Sequence, residues 1–232
     1  MRLKELFCPL YRNMYRCHSF AHLKACPDEY RQFYLYEPHD FESFLDKTEI
    51  VSLDFETTGL DAKKDHLLSA GGISIIKGCI DFNSAFHFYV NNSEFIKNDT
   101  ALINHITPEK VLKGKSEREA VTELFERLSG KIVLTHCAFI ETSFFKAMAG
   151  LKKNAPLPFY VIDTMAIERS LLRLDQNPDL RLFAIRKRRN LPDYEAHNAL
   201  SDSLATAEVL LAQLKDIFGK DRPELKKLIS YL

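Results

Sequence analysis

The sequence has no excess of charge of either sign. Its 232 residues contain 32 Lys and Arg and 32 Asp and Glu, so the formal net charge is zero. A protein that coats long duplex nucleic acid usually carries an excess of positive charge, and the balance therefore argues against that class. A protein that grips only the end of a strand needs less positive charge, so an end-acting enzyme stays open.

The sequence also lacks a cysteine framework and long apolar segments. Its five cysteines, an odd number, argue against a set of disulfides and favour a reducing compartment. No segment approaches the roughly 18 apolar residues of a membrane span. The first twenty residues contain neither the apolar stretch nor the cleavage site of a secretory signal peptide. We therefore expect a cytoplasmic protein without membrane association.

Two regions with different patterns make up the chain. Hydrophobic residues account for 46% of the sequence, which is enough for a sizeable core. Residues 1–48 are rich in Tyr, Phe, Cys and Arg and predict an N-terminal helical extension, whereas residues 49–232 predict one α/β domain. In that domain the patterns predict strands at 50–55, 69–77, 82–90, 131–135 and 160–162, the first three as an antiparallel meander, and helices at 117–128, 140–149, 164–174 and 199–215, with a last helix from about 223.

Two acidic residues stand two positions apart in the first predicted strand. The side chains of Asp54 and Glu56 therefore share one face, while Val51, Leu53 and Phe55 point to the other face. Acids on a buried face are costly unless they are solvated, paired or bound to metal. Oxygen ligands of this kind suit hard cations such as Mg²⁺ and Mn²⁺. Taken alone, the pattern fits a metal site and a solvated strand edge about equally.

Three segments together are more specific. Residues 53–60 read L-D-F-E-T-T-G-L, residues 136–145 read H-C-A-F-I-E-T-S-F-F, and residues 197–207 read H-N-A-L-S-D-S-L-A-T-A. In this order and at these separations they resemble the DnaQ-like 3′→5′ exonuclease superfamily, in its DEDDh subgroup. The likeness covers about residues 48–215 and is greatest to stand-alone relatives of the ε subunit of bacterial DNA polymerase III.

The resemblance implies a fold and a set of site residues. The fold is the ribonuclease-H-like exonuclease fold, a mixed five-stranded sheet flanked by helices with the acids at its centre. Asp54, Glu56 and Asp202 correspond to catalytic carboxylates that hold two Mg²⁺ or Mn²⁺ ions, and His197 corresponds to the general base. Glu141 stands where most members carry Asp, and we expect it to serve as the fourth metal ligand. His197 is expected in a loop ahead of the long helix.

Four further residues are candidates for substrate binding. The backbone and hydroxyl groups of Thr57 and Thr58 follow the first strand and are expected to hold the terminal nucleotide, with Leu60 wedged against its base. His105 belongs to an N-H-I-T-P stretch that resembles the family segment approaching the 3′ end. A helix-capping turn is an equally good interpretation of that stretch.

The function implied is 3′→5′ hydrolysis of single-stranded DNA or frayed DNA 3′ ends to nucleoside monophosphates. Nucleic-acid 3′ ends are thus the expected partner. Two alternatives stay open: an exoribonuclease that trims short RNA 3′ ends, and a catalytically weak module of the same fold that binds nucleic acid or a polymerase. Retention of the acids and of His197 argues against the weak module, because a dead site has no need for a costly acidic cluster.

Other polar residues near these motifs favour structural roles. We expect His136 to form hydrogen bonds at a strand end, and Asp163 to brace a loop. The cluster formed by Arg181 and residues 186–189 admits two interpretations, phosphate contacts and a solvated helix end.

Overall fold

The computed structural model describes residues 26–35, 43–96, 106–152, 155–172, 178–194 and 197–229. Within them, five strands form one mixed sheet: β1 (Ile50–Thr57), β2 (Leu67–Ile76), β3 (Cys79–Tyr89), β4 (Ile132–Thr135) and β5 (Tyr160–Asp163). The strand order is β3-β2-β1-β4-β5, so β1 is central. The first three strands pair antiparallel, whereas β4 runs parallel to both β1 and β5. The predicted meander and mixed sheet are therefore confirmed.

Seven α-helices lie in the described part of the chain: α1 (Pro108–Leu112), α2 (Glu117–Leu128), α3 (Phe139–Met148), α4 (Thr164–Leu171), α5 (Leu182–Arg188), α6 (Ala199–Phe218) and α7 (Leu225–Ile229). Local sequence sets several of their ends. A capping box between Ser116 and Glu119 begins α2, and the side chain of Asn198 accepts two backbone N–H bonds at the start of α6. Gly219, at a φ of 61°, follows the end of α6.

The alternation of side chains along β1 divides the core between the two faces of the sheet. Val51, Leu53 and Phe55 pack into one hydrophobic cluster with residues of α2 and α3. Ile50 points to the other face and packs with residues of α4, α6 and α7. This is the predicted separation of the apolar and acidic faces, and it places Asp54 and Glu56 on the side of α6.

Small residues let α6 approach the sheet closely. The hydroxyl of Ser52 donates a hydrogen bond of 2.7 Å to the carbonyl of Ser203 in α6. A Cβ atom added at Gly71 of β2 would stand 2.3 Å from the backbone nitrogen of Leu200. Such a distance is far below van der Waals contact, so only glycine fits there. The first turns of α6, which carry Asp202, are therefore fixed directly above β1 and β2.

The described part of residues 1–48 contains two short 3₁₀ helices, Asp28–Tyr34 and Leu45–Lys47. Tyr30 and Phe33 stack on Phe125 of α2, with ring centroids 4.4 and 5.1 Å apart. The Asp28–Tyr34 helix therefore packs on the helical layer remote from the acidic face, whereas Leu45 packs into the core cluster on the side of α6. The rest of the predicted extension lies outside the described residues, and the domain division at residue 48 stays a prediction.

Most predicted elements lie within a few residues of their expected bounds. Strand β2 begins at Leu67, two residues before the prediction, and α6 ends at Phe218, three residues after it. The described part of α4 ends at Leu171, with Leu172 already extended, so this helix is shorter than predicted. Among the described helices, none is both long and apolar enough to cross a membrane.

Candidate active site

Three carboxylates from two elements meet over the centre of the sheet. Asp54 and Glu56 project from β1, and Asp202 projects from the first turn of α6. Each carboxylate contributes one oxygen to the cluster, and these three oxygens all lie within 4.8 Å of one another. This spacing is short enough for all three to bind a common cation. The structure thus brings together three of the four acids that are predicted to bind metal.

The electrostatics of this cluster strongly disfavour three bare charges. Burial raises the pKa of Asp54 well above its ordinary value, and the carboxylates of Glu141, Asp202 and Glu56 raise it further. Burial, with the charge of Asp202, raises the pKa of Glu56 to about 8. Burial also raises the pKa of Asp202, although backbone N–H groups of His197 and Asn198 oppose this rise. A bound cation would remove the repulsion, so the donor set suits a divalent metal.

Glu141 lies beside this cluster but outside the close set of three oxygens. It stands in the first turn of α3, and only 4% of its surface is exposed. Its Oε2 atom is buried and has no hydrogen-bond partner among the described residues, and burial raises the pKa of Glu141 to about 8. An unpartnered buried carboxylate oxygen is costly. Because Glu141 also raises the pKa of Asp54, it is placed to supply a further oxygen ligand.

His197 lies just before α6, outside the helix, as predicted. Its backbone N–H donates a 2.8 Å hydrogen bond to Oδ2 of Asp202, and its φ of 67° is in the left-handed region. The residue is exposed. The hydrogen bond connects the histidine backbone to a member of the acidic cluster, so its position depends on α6.

A groove with a volume of about 400 Å³ opens onto the acids. Asp54, Asp202 and His197 line it together with Arg186 and Tyr194. Phe183, at the start of α5, also lines the groove and is 56% exposed. The groove therefore combines an acidic floor with a wall that carries a cation and exposed aromatic rings.

Two predicted structural residues hold the segment that carries Glu141. The carboxylate of Asp163 accepts hydrogen bonds from the backbone N–H groups of Cys137, Ala138 and Met165. His136 is within hydrogen-bonding distance of the Thr164 hydroxyl, at 2.8 Å, and of the Leu180 carbonyl, at 2.9 Å. Both predicted roles, loop bracing by Asp163 and hydrogen bonding by His136, agree with these contacts.

Three of the four predicted substrate-binding residues, Thr57, Thr58 and Leu60, lie at or after the end of β1. The Thr57 hydroxyl donates a 2.6 Å hydrogen bond to the Gly59 carbonyl, and the buried Thr58 hydroxyl accepts a bond from the backbone N–H of His66. Leu60 is 75% exposed. His105 lies outside the described residues. The substrate contacts of these residues stay predictions, and the Thr58 hydroxyl is already engaged within its loop.

The basic cluster is committed largely to protein carboxylates. Arg189 pairs with Glu168 and Asp216, and Arg186 pairs with Glu208. Neither sequence interpretation describes these two residues, because acids distant in sequence meet them only in the folded chain. Glu208 and Tyr194 are further neighbours of the site that were not predicted, because no local pattern marks them. The close approach at Gly71 was missed too, although glycine within a strand is a recognisable signal.

Sequence comparisons place this arrangement in a known family. The RNase_T family model, described as an exonuclease, matches residues 51–210. The chain is 32% identical over 196 residues to the PolC-type DNA polymerase III of Thermotoga maritima, and the alignment covers 82% of this chain and 14% of that protein. It is 30% identical over 192 residues to ribonuclease T of Haemophilus influenzae, covering 73% of this chain and 82% of the relative. The ε subunit of DNA polymerase III from Treponema pallidum is 26% identical and is covered over 86% of its length.

Solved structures share the fold. A crystal structure of the E. coli ExoI–ssDNA complex in its zinc-bound form matches with a TM-score of 0.62 and 17% identity. The match covers 73% of this chain and 41% of that one, so the chain spans less than half of the matched protein. At this identity the likeness shows the fold, a mixed five-stranded sheet flanked by helices. The chain therefore belongs to the RNase_T exonuclease family, within the DnaQ-like exonuclease superfamily.

Proposed function

We propose that the chain is a two-metal-ion 3′→5′ exonuclease that hydrolyses single-stranded DNA, or frayed DNA 3′ ends, to nucleoside monophosphates. The observation that carries the proposal is the meeting of Asp54, Glu56 and Asp202 within 4.8 Å, at the end of an open groove. Family membership and the DEDDh resemblance support the reaction class and its direction.

The metal ligands in this proposal are the three clustered acids and Glu141. Divalent cations bound there would neutralise the carboxylates and stabilise the charge that develops on the attacking and leaving oxygens at phosphorus. Glu141 extends the set because its buried Oε2 atom has no hydrogen-bond partner within the part of the chain that the structure describes. Mg²⁺ and Mn²⁺ fit a site made only of carboxylate oxygens.

The remaining chemistry belongs to His197 and the groove. An imidazole accepts a proton near neutral pH, so His197 is suited to take the proton of the attacking water as a general base. Its exposure at the groove leaves the ring accessible to a bound phosphate. In this proposal Thr57, Thr58, Leu60 and His105 hold the terminal nucleotide.

RNA is a second candidate substrate, and a specific observation favours it. The relative named ribonuclease T is 30% identical to the chain and is covered over 82% of its own length, whereas the PolC-type polymerase is covered over only 14%. Nothing in the described site selects visibly for or against a 2′-hydroxyl group. A catalytically weak binding module is disfavoured because Asp54, Glu56 and Asp202 meet in a close and costly cluster.

Digestion of labelled oligonucleotides tests the proposal. Matched 3′- and 5′-labelled DNA and RNA strands would be incubated with Mn²⁺ and with wild-type, Asp54→Asn or Glu141→Ala protein. The exposed Asp221→Asn variant is the matched control. We expect stepwise shortening from the 3′ end in the wild type and the control, and none in Asp54→Asn. Folded wild-type protein that shortens neither polymer would refute the proposal, and the preferred polymer would decide between DNA and RNA.

A further inference from the structure

A buried arginine joins three elements on the wall of the groove. Arg186, in α5, is only 4% exposed. Its Nη1 atom donates a hydrogen bond of 2.8 Å to the carbonyl of Ala205 in α6. Its Nη2 atom donates to the carbonyl of Pro192, at 2.6 Å, and to Oε2 of Glu208, at 2.7 Å. One guanidinium group therefore connects α5, the segment that follows it and α6.

Tyr194 completes this group of contacts. The Arg186 guanidinium lies over the Tyr194 ring, 4.6 Å from its centroid, and the Tyr194 hydroxyl donates a 2.8 Å hydrogen bond to Oε1 of Glu208. The two oxygens of Glu208 thus accept from two different residues. We call Arg186, Tyr194 and Glu208 together the Arg186 cluster. All of its contacts come from one short stretch of chain and one face of α6.

The location of the Arg186 cluster connects it to the active site. Tyr194 stands three positions before His197, and both line the groove with Asp54 and Asp202. At the other end of the segment, the backbone N–H of Leu191 donates to the carbonyl of Arg186. The segment from 191 to 194 is therefore attached at both ends to side chains or backbone of the cluster. His197 follows and attaches in turn to Asp202.

We infer that the Arg186 cluster positions the segment bearing His197, so that Arg186, Tyr194 and Glu208 are positioning residues for the reaction. The inference rests on the proposed function of His197 as the general base. A catalytic group that is held within a fraction of an ångström of its productive position supports a faster reaction than the same group on an unrestrained segment, because misalignment lowers the reaction rate. The planar guanidinium suits the role because its fixed donors reach a carboxylate and two carbonyls together.

A purely structural role is the competing explanation, and Tyr194→Phe separates the two. This variant removes only the hydroxyl that reaches Glu208, and it retains the ring beneath Arg186. Tyr194 is 39% exposed, so its hydroxyl contributes little to the core. We expect kcat to fall by about 3- to 10-fold, the equivalent of one ordinary intramolecular hydrogen bond, with KM and the melting temperature nearly unchanged. Arg186→Lys retains the positive charge but loses the planar guanidinium with its several fixed N–H donors, so it should lower kcat at least as much.

Tyr34→Phe is the matched control. It also removes a tyrosine hydroxyl, which in Tyr34 donates to the carbonyl of Pro156, but on the opposite face of the sheet beside Phe125. We expect this control to leave kcat unchanged. Unchanged kcat in Tyr194→Phe, or an equal loss in the control, would overturn the inference.

Amide hydrogen exchange followed by NMR gives a readout that does not depend on activity. Loosening of the cluster in Tyr194→Phe should accelerate exchange at the backbone N–H groups of Leu191 and His197, and Tyr34→Phe should not. If the wild type cleaves neither polymer, the proposed function fails, while faster exchange in Tyr194→Phe still supports the positioning of the segment. Exchange that is identical in Tyr194→Phe and wild type would refute that positioning.

Discussion

Replacing Glu56 with glutamine should stabilise the metal-free protein at alkaline pH. Burial and the charge of Asp202 raise the pKa of Glu56 in the folded chain to about 8, against 4.5 for an ordinary glutamate. The folded protein therefore holds a proton that the unfolded chain releases between these values. The free energy of unfolding must fall as the pH rises from about 4.5 to about 8.

The pKa difference sets the size of the effect. A pKa difference of about 3.5, at roughly 1.4 kcal/mol for each unit, limits the contribution of Glu56 to the free energy of unfolding to about 5 kcal/mol. About 3 kcal/mol of this contribution is lost between pH 5 and pH 8. Structural relaxation around the charged group reduces this value. We expect Glu56→Gln to be more stable than the wild type at pH 8 by about 2–3 kcal/mol, with a much smaller difference at pH 5.

Urea unfolding in the presence of a chelator measures this difference. Wild type, Glu56→Gln and the exposed control Glu94→Gln would be unfolded at intervals from pH 5 to pH 8. Adding Mn²⁺ at pH 8 should stabilise the wild type by about 2.7 kcal/mol at one hundred times the dissociation constant, and stabilise Glu56→Gln much less. A Glu56→Gln protein that is no more stable than wild type at pH 8 without metal would refute the reasoning.

Three further substitutions test the structure beside the site and in the hairpin between β2 and β3. Gly71→Ala would place a Cβ atom 2.3 Å from the backbone of α6, so it should lower the free energy of unfolding by about 1–3 kcal/mol and weaken the thermal stabilisation by Mn²⁺. An unchanged melting temperature would contradict that close contact. Asp163→Ala removes the acceptor of three backbone N–H groups and should lower the free energy of unfolding by about 2–4 kcal/mol, measured in urea. A loss below about 0.5 kcal/mol would show that these three hydrogen bonds are unimportant for stability. Lys77→Asn should stabilise the hairpin between β2 and β3 by about 0.5–1 kcal/mol in thermal unfolding, because Lys77 has a φ of 54° before Gly78 and asparagine adopts this left-handed conformation more readily than lysine. A lower melting temperature would contradict this account.

Local pattern was sufficient to predict most of the fold and the acidic pair. The period-two alternation in β1 placed Asp54 and Glu56 on one face and Val51, Leu53 and Phe55 on the other, as the two core clusters confirm. The apolar spacing likewise marked α2 at its observed bounds, Glu117–Leu128. These features depend on neighbouring residues, so a single segment contains all the information needed.

The grouping of Asp202 and Glu141 with the strand acids came from a family resemblance, because no local rule joins residues so far apart in the chain. Distance and burial required the tertiary structure. Whether Asp202 reaches Asp54 depends on how closely α6 approaches the sheet, which Ser52 and Gly71 permit by their small size. The cost of charging the cluster also depends on the fold, since burial is the largest cause of each raised pKa.

The sequence alone determined most of the strands, the amphipathic helices and the acidic pair of β1, because periodicity is a property of the chain, and the family resemblance added Asp202 and Glu141 as candidate ligands. Only the tertiary structure decided the partners of long polar side chains. Arg186 was one member of a basic run in the sequence, yet in the fold it contacts Pro192, Ala205 and Glu208 rather than solvent. Its partners stand up to 22 positions away, and a flexible charged side chain finds them only when packing has fixed α5 against α6.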